Sequence, residues 1–249
     1  GYVQQRGEKG QPTSAGLLPL TGSGSGMRAR WWEWPQWDKT SYFFTSNTRV
    51  GAHVLRARLY HDQFENSLVS RNYAGGVVGG VASGFPSLYD DDSTGLSLEG
   101  DFLLSETNRL QLAYHFKDDV HRSMDAGRPW TYFKDRTHAL SVEDTLTLSD
   151  TLTLVGGLSY QQRKSLAARN FGTHAGSPSV PTLYDEPGGS NNAVNAQLGL
   201  FQKAGAGQAR LTVASKSRFA TMMERYSTRF GTVIPNPDLK AERARHYEI

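Results

Sequence analysis

The chain has 249 residues, 37% of them hydrophobic, with 26 glycines, which is enough for one large β domain or two ordinary domains. Its 27 basic and 24 acidic residues leave a net charge of +3 with both signs interspersed, so composition gives no footprint for nucleic acid. The absence of cysteine excludes a disulfide framework and a thiolate metal site. No stretch approaches the ~18 apolar residues of a membrane helix, but that leaves open a membrane barrel, whose strands need only ~10 residues of alternating character.

The chain opens on "GYVQQRGEKGQ", which has no signal-peptide pattern and reads as the interior of something longer. A polar connection, Gly7–Gly26, follows. Its "GSGSG", like the later "GGVVGG", lacks the Lys-Ser/Thr of a phosphate loop and reads as flexible loop composition. "RWWEWPQWDKTSYFF", Arg30–Phe44, holds four of the five tryptophans, interleaved with Glu33, Pro35, Gln36 and Asp38. Rings in that polar company suit a membrane interface or an upper barrel wall, and Pro35 calls for a bulge.

Further on, "TGLSLEGDFLL" puts Leu96, Leu98, Phe102 and Leu104 on one face. "RLQLAYHFKDDV" does the same with Leu110, Leu112, Tyr114 and Phe116. In "HALSVEDTLTLSDTLTLVGGLSY", a three-residue turn at Ser149–Thr151 pairs Leu148 with Leu152, Leu146 with Leu154 and Leu140 with Tyr160. A two-residue turn would mix the faces. Asp144 then falls among leucines, which suggests a local bulge. "VNAQLGLF" and "ARLTVASKSR" form one more pair.

Short turns near Ser46–Gly51, Ser105–Asn108, Ser149–Thr151 and Gln202–Gln208 alternate with long connections at Gly7–Gly26, Ser67–Asp92, Ala167–Ser190 and Phe219–Lys240. Only Asp125–Tyr132 breaks the rule. This is the asymmetry of an outer-membrane barrel with short periplasmic turns and long outer loops. The expected fold is therefore all-β, an antiparallel transmembrane β-barrel, with roughly ten span-competent segments in this chain.

No catalytic motif is present: there is no G-x-S-x-G elbow and no H-E-x-x-H helix. His115 and His121 lie roughly 20 Å apart on one strand, too far to chelate together, and "YDDD", Tyr89–Asp92, reads as an acidic loop edge. No metal site, cofactor or enzymatic activity is expected.

The closing stretch, "SKSRFATMMERYSTRFGTVIPNPDLKAERARHYEI", resembles the late-barrel segment of TonB-dependent outer-membrane receptors. The matching positions are Lys216, Arg218, Phe219, Glu224–Ser227, Asn236–Lys240, Glu242 and His246–Glu248. "WDKTSYFF", "HFKDDVHR" and "TLVGGLSYQQR" also look like barrel segments of that family, so the resemblance covers residues 1–249 as one partial barrel domain. Such receptors carry a plug domain and a TonB box, which this stretch lacks, and a barrel of 22 strands, so the resemblance implies an incomplete barrel, an interior slice with about ten strands of a larger barrel, an open sheet whose first and last strands do not pair.

The resemblance implies a receptor in the outer membrane of a Gram-negative bacterium. It would import a scarce small-molecule ligand such as a siderophore-iron complex, haem, cobalamin or a saccharide, driven by the TonB-ExbB-ExbD system through a region outside this chain. Its other neighbour would be outer-membrane lipid, and no nucleic acid is implied. A passive porin is the alternative and a soluble β-sandwich or β-helix binding module a third. For an anionic ligand the candidate contacts are Arg56, Arg58, Lys117 and Arg163, with Arg30 and Lys164 beside them. Pairing of these cations with barrel-wall or plug carboxylates is an equal reading. The turn before the last strand is expected at Asn236–Leu239, with strand from about Ala241, and Tyr226 and Phe230 on the outer barrel wall, clear of lipid.

Overall fold

The computed structural model describes residues 1–10, 31–74, 77–173, 180–228 and 234–249. Its strands are β1 (Tyr2–Gln5), β2 (Lys9–Gly10), β3 (Trp31–Val50), β4 (His53–Ala74), β5 (Val77–Val81), β6 (Ser87–Leu103), β7 (Asn108–Asp125), β8 (Thr131–Thr147), β9 (Leu152–Gly172), β10 (Thr182–Asp185), β11 (Ser190–Ala204), β12 (Gly207–Arg218) and β13 (Glu242–Glu248). One helix, α1 (Met222–Tyr226), precedes β13. All strands join one antiparallel sheet in the order β1-β3-β4-β6-β7-β8-β9-β11-β12-β13, with β2, β5 and β10 added at its margin. Ten strands thus form the main path, as expected. β1 and β13 lie at its opposite ends, without the mutual pairing that a small closed barrel would require.

The short turns follow from local chemistry. Leu148–Leu152 closes with Leu148 N–H donating to the Leu152 carbonyl at 2.9 Å, and Leu146 stands opposite Leu154 and Leu140 opposite Tyr160, the expected register. Leu104–Asn108 closes in the same way at 2.9 Å. Both turns read Leu-Ser-acid-Thr, and in both the serine Oγ accepts from the N–H two residues on, at 3.2 and 3.3 Å. Gly51 and Gly205 open the two-residue turns with φ of 61° and 57°, conformations that favour glycine.

The long connections differ from expectation. β4 runs on to Ala74, β5 folds back on it, and β6 begins at Ser87, so most of Ser67–Asp92 is strand. β9 reaches Gly172 and pairs with β10, so the described part of Ala167–Ser190 is largely strand as well. The strands of 20–22 residues far exceed the ~10 needed to span hydrocarbon, and their upper ends stand clear of it. There both faces are wet, and hydrophobic alternation no longer marks a strand. The register shift expected at Pro35 lies between Glu33 and Gln36.

Alternation sorts the residues inside out. The convex face carries Leu98, Leu112, Leu140, Leu158, Leu198 and Leu211, each more than 40% exposed, while Asp101, Asp135, Arg163, Ser165 and Asn170 on the other face are buried. That is the pattern of a wall between lipid and a polar lumen. On successive strands the outward apolar run gives way to polar residues above Tyr42, Leu59, Leu96, Phe116, Leu140, Tyr160, Val194, Val213 and Tyr247, which mark the upper edge of the band. Carried along the register, Tyr42 comes level with Thr94 of β6. Tyr247 comes level with Phe102, eight residues further along. Eight residues over eight strand steps, at ~3.3 Å per residue against ~4.8 Å between strands, tilt the strands by about 35°, as a closing barrel requires.

Asp144 is unbulged. It stands outward three residues from the end of β8, opposite Gly156 and between the outward Val142 and Leu146, where Asn108 Nδ2 donates to it at 2.9 Å. Trp37 and Phe64 face the lumen high on the wall, with ring centroids 4.9 Å apart, and Lys9 Nζ lies 3.3 Å from the Trp37 centroid. The tryptophans therefore belong to the upper wall, and outward tyrosines form the girdle.

In the full-length protein, Leu154→Arg, one outward step from the band centre at Gly156, should cost about 2 kcal/mol or more in a vesicle-folding titration, whereas Thr153→Arg on the lumen side should cost little. Equal losses at the two positions would overturn the face assignment.

Candidate functional site

The inner wall above the lipid band holds the densest chemistry. "RFATMMERYS" leaves β12, and Thr221 and Glu224 form a reciprocal capping box that starts α1: Glu224 N–H donates to Thr221 Oγ1 at 3.2 Å, and Thr221 N–H donates to Glu224 Oε2 at 2.7 Å. α1 docks on the lumen face of β8 and β9. Tyr226, 3% exposed, stacks on Phe133 at 5.4 Å and donates from its hydroxyl to Ser165 Oγ at 2.9 Å. Asn170 Nδ2 donates to the Tyr226 carbonyl at 3.0 Å. Tyr226 therefore sits on the inner wall, contrary to the outer-wall expectation, because its hydroxyl finds a partner there. Phe230 lies outside the described residues. The turn behind α1 is as expected, with Leu239 N–H donating to the Asn236 carbonyl at 3.2 Å and β13 beginning at Glu242.

Arg225, fully buried, is hydrogen-bonded to Asp135, and Arg163 Nη1 lies 3.5 Å from the same carboxylate. At the rim, Arg218 bridges Glu224 and Glu242 at 2.9–3.0 Å. Arg218 foremost, and then Thr221, hold the Glu224 carboxyl at about 2.

Beside α1 is a lumen cavity of about 320 Å³ lined by Lys39, Asp62, Phe64, Asp91, His121 and Met222. His121 Nδ1 and Asp91 Oδ1 are 2.6 Å apart, and Ser93 Oγ donates to Asp119 at 2.9 Å. Alternation splits the aspartate run: Asp90 and Asp92 turn outward to Arg122, at 3.2 and 2.6 Å, and only Asp91 turns in. Among the described residues no group of histidine and carboxylate side chains could hold a metal ion. A second hollow, about 530 Å³, lies on the outward face among Leu55, Leu98, Phe102, Leu112 and Leu140 and belongs to the lipid side.

The candidate cations divide. Arg56 and Arg58 face the lumen within the band, Arg56 opposite Glu99 and Arg58 opposite Ser97. Arg58 lies 5.1 Å over the Tyr60 ring, which lies across Gly95 where a Cβ would collide with it. Lys117 faces the lumen and is paired with Asp119 at 2.8 Å. Arg163 shares a register line with Lys117 through Thr137 but is sealed under α1. Lys164, its neighbour, turns outward and is exposed, so it does not line the lumen. Arg30 lies outside the described residues. Asp135, Arg225 and Tyr226 were not singled out from sequence as site residues, although the box Thr221-x-x-Glu224 was there to announce the helix.

A family model described as TonB dependent receptor-like, beta-barrel matches residues 3–249. Among curated proteins, none matches the chain. Solved structures share its fold. One is a double mutant of the Serratia marcescens hemophore receptor HasR in complex with its hemophore HasA and heme, at 14% identity and a TM-score of 0.64, covering 88% of this chain and 37% of that one. Another is the copper transporter OprC, at 12% identity and a TM-score of 0.62, covering 78% of this chain and 33% of that one. The chain thus spans about a third of the length of either, and at such identities the likeness is one of fold.

Glu224 gives a pH test. A carboxyl held below its ordinary value adds stability above that value, and the stability is lost as pH falls through the folded one. Backbone protection factors over 221–226 should therefore hold from pH 8 to about 5 and fall between about pH 4.5 and 2. Glu224→Gln should remove that step, and an unchanged acid response in the variant would refute the capping role.

Proposed function

The chain belongs to the TonB-dependent receptor β-barrel family, and from that membership we propose that residues 1–249 form a stretch of barrel wall in an outer-membrane receptor of a Gram-negative bacterium. The receptor imports a scarce small ligand, such as siderophore-bound iron, haem or cobalamin, by active transport coupled to TonB-ExbB-ExbD. The observation that carries this reading is the division of one continuous ladder into an apolar outer face and an inner face of hydrogen-bonded and ion-paired side chains, within a receptor family. Arg56, Arg58 and Lys117 are the cations through which the wall meets an anionic ligand, and Arg58 is the best supported because Tyr60 holds its guanidinium over the lumen.

The test uses the full-length protein in cells lacking their own receptors, with and without TonB, supplied with haemin, ferric siderophores, cyanocobalamin or copper at sub-saturating concentration. One ligand should accumulate only where TonB is present. Equal accumulation in both strains, rising linearly with concentration, would mark a passive pore instead. For an anionic ligand, Arg58→Ala should weaken binding about tenfold, ~1.4 kcal/mol, and outward Lys164→Ala should leave it unchanged. Equal losses at both positions would remove the lumen from the binding site.

A further inference from the structure

The cluster beneath α1 holds one more positive charge than negative. The side chains of Arg163 and Arg225 are 4% and 0% exposed, and both turn to Asp135. Among the described residues, Arg163 Nε, Nη1 and Nη2, Arg225 Nη1 and Asp135 Oδ1 have no hydrogen-bond partner. Two other lumen pairs, Lys117 with Asp119 and Lys39 with Asp62, are matched one to one and half wet. A guanidinium is removed from water at tolerable cost only when a well-placed counter-charge replaces its hydration. Asp135 can do that for one of the two.

The dry environment is made by α1 and its flanks: the Phe219 ring lies 6.0 Å from the Arg163 guanidinium, and Asn236 N–H donates to the Arg225 carbonyl at 2.7 Å. The helix has five residues and makes no ladder with the sheet; besides the one backbone bond from Asn236 it is held by side-chain contacts, Tyr226 to Phe133, Ser165 and the Pro187 carbonyl, Asn170 to the Tyr226 carbonyl, and Arg218 to Glu224 at the exposed rim. Met222 of the same helix lines the neighbouring lumen cavity with His121.

We propose that α1 is a lid over an oxyanion site. Raised, it opens a gap between Arg225, which it carries, and Arg163 on the lumen wall, and a carboxylate or phosphate group entering from the adjoining cavity is gripped between the two guanidinium forks and supplies the second counter-charge. A guanidinium fork and an oxyanion match donor for acceptor, which a spherical anion does not. The inference rests on the uptake reading only for the route by which such a ligand arrives.

This stretch has no cysteine, so in full-length protein with any cysteine outside it replaced by serine, Ala220→Cys places a single thiol at a position 6% exposed, whose carbonyl accepts from Arg225 Nε at 3.3 Å. In full-length protein in vesicles, its reaction with a charged maleimide reads lid opening. Citrate or inorganic phosphate at millimolar concentration should raise the rate at least threefold over sodium chloride of equal ionic strength. Arg163→Met should abolish that response and slow the basal rate, because the seated lid then buries no unmatched charge. Equal rates in the three salts would overturn the proposal. So would faster basal labelling in Arg163→Met, which would make Arg163 an ordinary support of α1. Should Ala220→Cys fail to give a heat-modifiable barrel, an environment-sensitive fluorophore on exposed Met223→Cys reads the same motion. A salt response without TonB-dependent accumulation would refute the uptake reading and leave the lid. Accumulation without a salt response would do the reverse.

Discussion

Hydrocarbon offers no hydrogen bonds, so every backbone N–H and C=O within the band must be met by the neighbouring strand. The rest of the structure follows from that demand. The register holds without slip through the whole lipid-facing band and shifts only at Glu33/Gln36, Arg71/Tyr73 and Lys134/Asp135, all on the upper, watered side of its edge. A fixed register makes side-chain parity a fixed sorting rule, since a slip of one residue would turn every leucine inward. Hence two unlike solvents can be faced by one sheet only one residue thick.

The ladder, and not the lumen's ion pairs, carries the stability of the wall. Lys117 with Asp119 or Lys39 with Asp62 are part-exposed pairs of the kind worth about 0–1 kcal/mol each. The Asp135 cluster is different in kind. Its charges are dry, and what it contributes depends on matching rather than on number.

Where one face was lipid and the other lumen, the sequence was legible residue by residue: the Leu148–Leu152 turn, the Leu140–Tyr160 pairing, the bulge at Pro35 and the count of about ten strands could all be read from alternating leucines and one proline. Above the band the contrast that makes alternation visible disappears, so the strand continuing through Arg71 and the one continuing through Arg169 read as loop. Parity placed Asp144 outward among the leucines, and it stands there without a bulge, answered by Asn108 of the neighbouring strand. Among the candidate cations, Arg56, Arg58 and Lys117 faced the lumen by parity alone. Parity also turned Arg163 inward, but its sealing was decided by α1, whose Arg225 meets Asp135 across 90 residues of chain, beyond the reach of any local pattern. The capping box of α1 was a local signal, and it could announce the helix but not its docking place.

That separation has a kinetic meaning. Along the main path each strand pairs with its predecessor, so the wall is assembled from contacts of short loop length, the kind that form fast. The meeting of Arg225 with Asp135 is of the opposite type: unless β8 to β12 are already zipped, closing a 90-residue loop on one carboxylate carries a large entropic penalty. Once those strands are in place, the two groups are held a few ångströms apart and the penalty has largely been met. Docking of α1 is therefore a late event in folding, conditional on a correctly registered wall.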